Sequence, residues 1–95
     1  MLYSNKLLFM NINELIEIVK SKIEAEITIQ DFKIEDKSFL HKNHKGNQEG
    51  MFHLKLIIKS EELKRLNKIE STKKIYSILN LELKEHIHSI QILLS

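Results

Sequence analysis

The 95-residue chain contains no cysteine, no proline and only two glycines. Without cysteine, this chain alone can form neither a disulfide nor a thiolate metal site. Both glycines, Gly46 and Gly50, fall within residues 37–50, a stretch without sustained hydrophobic periodicity. We therefore predict a surface loop there, of a length that is typical of functional or disordered loops.

Long apolar runs are also missing. No window approaches the ~20 apolar residues needed to span a bilayer, so we expect a soluble, cytoplasmic protein that does not bind membranes. Hydrophobic residues make up 42% of the chain, which is enough for one modest core. We expect a single domain over residues 1–95, with 1–10 as an N-terminal extension, and a monomer when the chain is alone.

Arginine and aromatic residues are scarce as well. Arg65 is the only arginine, aromatic residues make up 6% of the chain, and the net charge is +2. Arginine is the usual residue for bidentate recognition of phosphate and guanine. The composition therefore permits an acidic partner but argues against sequence-specific reading of DNA.

Hydrophobic periodicity predicts the first half of the fold. Apolar residues at helical spacing run from Ile12 to Ile23, and Asn11 with Glu14 provides a helix start. A strand is predicted over 31–36. Strict alternation then predicts a second strand over 51–59.

The remaining elements are two helices and a strand. Ser60 is predicted to cap a short helical turn over 61–67, and Ser71 to open a longer helix. The final strand is predicted within 84–95, with one largely apolar face formed by His88, Ile90, Ile92 and Leu94.

This αββααβ order predicts the sheet. Two helices separate the second and third strands, so a right-handed crossover makes these strands parallel if they are neighbours, whereas the first two strands are antiparallel. The expected fold class is α+β, a three-stranded mixed sheet with helices packed on one face.

The topology should also gather the five histidines. Parallel neighbours begin at the same edge of a sheet, so His53, His86 and His88 should lie at one end. His41 and His44 belong to the long loop that leads into the second strand, and should lie there too.

Each histidine has an ordinary interpretation beside the metal-binding one. His44 and His86 are interpreted as polar surface residues, His53 as structural or solvated, and His88 alternatively as a core histidine. His41 and His88 form the best pair of metal ligands. Imidazoles suit Zn, Cu or Fe, but two ligands do not complete a site. The sequence thus predicts half of a metal site, with the other ligands coming from a partner.

Three segments together carry a resemblance to a known family. They are "DKSFLHKNHKG" (36–46), "FHLKLIIKS" (52–60) and "IYSILNLELKEHIHSI" (75–90). The chain resembles the BolA family over roughly residues 12–94, and the resemblance implies a class II KH-like αββααβ fold.

The resemblance also implies a function. BolA-like proteins form heterodimers with monothiol glutaredoxins and share a bridged [2Fe–2S] cluster, in iron–sulfur trafficking or iron sensing. Glutaredoxin and glutathione supply sulfur. The BolA side supplies a histidine of the last strand, which matches His88, and a loop histidine or cysteine, which is best matched by His41, with His44 and His53 as alternatives. The isolated chain is then expected to hold no cofactor.

One departure from the family pattern concerns the start of the long helix. The Arg-His-Arg that usually opens the long helix is replaced by Ser71, Thr72 and Lys73. Contacts that this segment makes in relatives, to nucleic acid or to a partner protein, are therefore not expected to carry over unchanged.

The alternative function is a nucleic-acid-binding transcriptional regulator that uses the KH-like fold. A basic patch for this purpose would consist of Lys64, Arg65, Lys68, Lys73 and Lys74. Against it, KH domains clamp the backbone with a GxxG loop between two helices, and no glycine stands there. The same lysines are typical of a solvated helix face, and any DNA binding should be weak. The sequence shows no nucleophile–base arrangement, so we do not expect an enzyme.

Overall fold

A computed structural model describes residues 11–38 and 51–95. The elements are α1 (Ile12–Glu26), β1 (Asp31–Asp36), β2 (Phe52–Lys59), α2 (Glu61–Lys64), α3 (Lys68–Ile78), α4 (Asn80–Glu85) and β3 (Ile87–Leu94). The predicted extension 1–10 and most of the predicted loop, residues 39–50, lie outside the described residues. None of the described helices is long and apolar enough to cross a membrane.

The sheet has the predicted topology. Its strand order is β1-β2-β3, with β1 antiparallel and β3 parallel to β2. The α+β class and the mixed three-stranded sheet are thus confirmed. The parallel pairing follows from the α2–α3–α4 crossover, which returns the chain to the end of the sheet where β2 begins.

The core lies between the helices and one face of the sheet. It contains alternate residues of β2 and one stripe of α1, because strands repeat every two residues and helices about every 3.6. The buried apolar side chains are Leu15, Val19, Ile23, Ile27, Leu54, Leu56, Ile58, Leu63, Ile75, Leu79 and Ile87. The helices therefore cover one face, as predicted, and His53, Lys55, Ile57 and Lys59 alternate toward the other, which we call the outer face.

Helix starts follow local capping chemistry. The Asn11 side chain accepts a hydrogen bond from the Glu14 N–H at 2.9 Å, as predicted. The predicted start of the long helix at Ser71 is wrong. Asn67 and Glu70 form a capping box, so α3 already begins at Lys68.

Two further boundaries differ from the prediction. The short helix ends at Lys64 rather than extending to 67, and the chain turns at Arg65. The long helix is interrupted at Leu79, which separates α3 from α4. Consequently β3 begins at Ile87, and Lys84 and Glu85 belong to α4 rather than to the final strand.

Candidate functional site

A β-bulge shapes the end of the sheet where β2 and β3 begin. Phe52 pairs with Ile87, but His53 pairs with Ser89, so His88 is an extra residue in β3. A bulge of this kind redirects a side chain that regular alternation would place on the opposite face. The prediction that His88 continues the row of Ile90 is therefore wrong.

The bulge brings two imidazoles together. The ring centroids of His53 and His88 lie 5.0 Å apart, with the ring planes inclined by 54°. His88 is exposed, whereas only 5% of the surface of His53 is accessible. His88 is thus not a core histidine, and His53 is not solvated. We call His53 and His88 the histidine pair.

His53 is fixed by side-chain and backbone contacts. Its Nδ1 lies 2.7 Å from the Ser89 hydroxyl. Its backbone N–H donates to Ser38 Oγ at 3.0 Å, and its carbonyl accepts from the Lys37 N–H at 2.7 Å. The histidine pair therefore combines one immobilised ring with one that faces solvent.

His86 does not lie on the surface as expected. It caps the C-terminus of α4, and only 4% of its surface is accessible. Its carbonyl accepts from the Phe52 N–H at 2.8 Å, which joins the end of α4 to the start of β2. Its Nε2 is buried and has no hydrogen-bond partner among the described residues.

The structure thus places three of the predicted histidines at one end of the sheet. His41 and His44 lie outside the described residues, so their role as ligands stays a prediction. Within 11–38 and 51–95, no group of three or more histidine, aspartate or glutamate side chains is arranged to hold a metal ion. The described residues alone therefore do not complete a metal site.

The residues of the predicted basic patch are spread over α2, α3 and the turn between them. Lys64, Arg65, Lys68 and Lys73 are exposed, whereas Lys74 donates to Glu62 at 3.2 Å. A groove of about 410 Å³ separates the α2–α3 turn from the end of β3. Lys64 and Lys68 line this groove, while Arg65, Lys73 and Lys74 do not.

Sequence reasoning missed Ser89, which contacts His53. A signal for the bulge was present, since the polar residues His88 and Ser89 are adjacent in β3 and interrupt its alternation. A strictly alternating strand would place one of these two side chains on the apolar face. The structure avoids this burial with the bulge.

With α3 and α4 counted as one helix interrupted at Leu79, the elements define a small αββααβ domain of the class II KH-like fold, with helices on one face of a mixed sheet. Residues 23–95 match the family model described as BolA-like protein, so the chain belongs to the BolA-like family.

Individual relatives agree with this assignment. The chain is 32% identical over 74 residues to the "DNA-binding transcriptional regulator BolA" of Haemophilus influenzae, covering 78% of this chain and 69% of that protein. The BolA domain of SufE1 from Arabidopsis thaliana superposes with a TM-score of 0.68 and 27% identity, covering 81% of this chain and 85% of that one. BolA1 from Arabidopsis thaliana gives a TM-score of 0.69 with 23% identity, over 83% and 87% of the two chains, and shows the fold alone.

Proposed function

We propose that this chain is the partner of a monothiol glutaredoxin and co-ligates a bridged [2Fe–2S] cluster, in iron–sulfur trafficking or iron sensing. His88 and His41 are the proposed ligands, with His44 and His53 as alternatives. The observation that carries the proposal is the exposure of His88 beside the buried His53, with ring centroids 5.0 Å apart.

The donor chemistry fits such a cluster. Histidine nitrogens replace cysteine sulfur on one iron of Rieske [2Fe–2S] centres, so an iron with two imidazole ligands is chemically reasonable. The chain has no cysteine, so sulfur ligands must come from the glutaredoxin and glutathione. An exposed imidazole at the end of a sheet is accessible to a partner's iron, and the contact with His53 restricts its orientation.

The test is to assemble the mixed cluster. The protein is combined with a monothiol glutaredoxin, glutathione, iron and sulfide, and visible absorption and circular dichroism are recorded. We expect a spectrum that differs from that of the glutaredoxin alone, and its loss in His88→Ala. Leu93→Ala, which changes an exposed residue of the same strand, is the matched control and should keep the spectrum.

Two results would contradict the ligand assignment. One is a His88→Ala protein that assembles the wild-type cluster. The other is loss of the spectrum in Leu93→Ala, which would indicate that the strand surface matters rather than the imidazole. His41→Ala is expected to alter the spectrum without abolishing it, because His44, a thiol or water can replace a loop ligand.

A second candidate function is nucleic-acid binding. It is favoured by the name of the Haemophilus influenzae relative and by the groove that Lys64 and Lys68 line. Contacts to about three to five phosphates should give a log–log salt slope of roughly −3 to −5. Fluorescence anisotropy with a duplex should then show weak binding without sequence preference.

Lysine variants test where DNA binds. Lys64→Ala and Lys68→Ala should each reduce the salt slope by about 1 if the groove holds the phosphate backbone. Lys20→Ala, at an exposed position of α1, is the control and should leave the slope unchanged. Equal effects from all three variants would indicate nonspecific attraction rather than a binding groove.

A further inference from the structure

A polar cleft lies on the outer face of the sheet beside the histidine pair. Its volume is about 350 Å³. Its polar lining residues are Lys37, His53, Lys55, Ser89 and Gln91. Ligand pockets commonly begin near ~300 Å³, so this cleft suits a small chemical group rather than a whole cofactor.

The charges around the cleft do not balance. Glu35 on β1 uses one carboxylate oxygen for Lys33 and the other for Lys37, both at 3.2 Å. Hydrogen bonds from Lys33 and then Lys37 lower the pKa of Glu35, which keeps this carboxylate ionised. Lys55 stands directly opposite Glu35 in the β1–β2 register. Lys55 nevertheless has no ion pair within the described ranges, so no carboxylate neutralises its ammonium group there.

The neighbours of Lys55 add hydrogen-bonding capacity. Gln91 is its direct partner in the β2–β3 register and is exposed. Lys55 itself is partly buried, which strengthens its interaction with an anion relative to a fully solvated lysine. The second lysine that lines the cleft, Lys37, is already paired with Glu35. The Lys55 ammonium beside an amide matches a carboxylate, whereas a phosphate monoester carries a charge of about −1.5 to −2 and is usually held by several cationic groups.

We propose that this cleft binds a carboxylate of the glutaredoxin–glutathione partner, next to the histidine pair. The inference rests on the proposed function, because the role it gives Lys55 is to orient the glutaredoxin that carries the cluster. Lys55 would act as a positioning residue, not as a ligand. The carboxylate belongs either to glutathione or to an acidic side chain of the glutaredoxin.

Charge reversal at one lysine tests the inference. We expect Lys55→Glu to weaken glutaredoxin binding at least about tenfold, measured by titration calorimetry, which is the effect of losing a charge-assisted hydrogen bond. Lys59→Glu, four residues further along β2 on the same face, is the matched control and should change the affinity less than about twofold. At saturating glutaredoxin, Lys55→Glu should still give the wild-type cluster spectrum because the histidines remain.

A milder variant covers the case in which Lys55→Glu does not fold. Lys55→Gln removes the charge but leaves a polar side chain at this position. It should weaken glutaredoxin binding and also make the affinity depend less on salt. If wild-type protein assembles the cluster but both Lys55 variants bind as tightly as wild type, this inference is wrong and the proposed function stands. If wild-type protein neither binds glutaredoxin nor assembles a cluster, the proposed function is wrong.

Two arms identify the source of the carboxylate. In the first, glutathione or its diethyl ester is titrated into the isolated protein, and the amide NMR signals of Lys55 and Gln91 are followed. Shifts caused by glutathione but not by the ester assign the carboxylate to the tripeptide. In the second, cluster-free glutaredoxin without glutathione is titrated, and weaker binding of Lys55→Glu assigns it to a glutaredoxin side chain. Either result supports the subsite, and the absence of both overturns it.

Discussion

The imidazole rings of His53 and His88 lie with their centroids 5.0 Å apart, although one ring is buried and the other is exposed. The extra residue in β3 creates this relationship, because it displaces His88 from the alternation of the strand. The two residues therefore differ in what they contribute to stability, and this difference can be measured.

His53→Ala should destabilise the protein by about 1–3 kcal/mol, because a buried hydrogen-bonding ring is lost and the Ser89 hydroxyl loses its contact. His88→Ala should change the free energy of unfolding by less than about 0.5 kcal/mol, as expected for an exposed side chain. Urea unfolding of both variants checks the prediction. A larger loss in His88→Ala than in His53→Ala would contradict this account of the pair.

The sequence predicted the sheet well because its signals are local and periodic. The apolar residues Phe52, Leu54, Leu56 and Ile58 recur at every second position, and the crossover rule then determines the direction of β3. The position of His88 was predicted poorly, because assigning faces from the two-residue alternation assumes a regular strand. One additional residue in β3 reverses the face assigned to His88.

Sequence patterns predicted the positions of the histidines only in part. The gathering of His53, His86 and His88 at one end follows from topology and could be predicted. The burial of His86 could not, because it depends on where α4 ends, and helix ends are set by a few local hydrogen bonds. His41 lies outside the described residues, so its pairing with His88 stays a prediction.

A partly buried ion pair joins the first and last helices. Lys22 Nζ lies 2.7 Å from Glu82 Oε2, and only 4% of the Glu82 side chain is accessible. Lys22→Ala should cost about 1–3 kcal/mol, because it leaves a buried carboxylate without its cation. We place the loss below that of a fully buried pair because the Lys22 side chain is 38% exposed.

Two comparisons separate this effect from the change in helix propensity. Lys20→Ala introduces the same residue at an exposed position of α1 and should alter stability by less than about 0.5 kcal/mol. The double variant Lys22→Met, Glu82→Leu removes both charges and should recover most of the loss, since apolar replacements of buried ion pairs are often neutral. Equal stability of Lys20→Ala and Lys22→Ala by urea unfolding would refute a structural role for the pair.

The capping box at Asn67 provides a third prediction. Its side chain accepts from the Glu70 N–H at 2.8 Å, while the Asn67 N–H donates to the Glu70 carboxylate at 3.3 Å. Asn67→Ala should cost about 1 kcal/mol. Asn80→Ala, at an exposed position of α4, should differ from wild type by only a few tenths. Thermal unfolding should show a lower midpoint for the first variant alone.

Glu62 should make stability depend on acid pH. The Thr28 N–H donates to its Oε1 at 3.0 Å, and Lys74 Nζ lies 3.2 Å from its Oε2. The backbone hydrogen bond from Thr28, followed by that from Lys74, lowers the pKa of Glu62 from its usual 4.5. A carboxylate with a lowered folded-state pKa stabilises the fold above its unfolded-state pKa. This contribution is lost as the pH falls through the folded-state value.

Glu62→Gln removes the titration but keeps an oxygen that can accept from Thr28. Wild type should therefore be more stable than Glu62→Gln at about pH 7, and the difference should shrink as the pH falls below 4.5. Urea unfolding at both ends of this range measures the difference. Glu61→Gln, at the adjacent exposed position, is the control for the loss of one carboxylate from the same helix start. A gap between wild type and Glu62→Gln that widens on acidification would have the wrong sign for a carboxylate stabilised by Thr28 and Lys74.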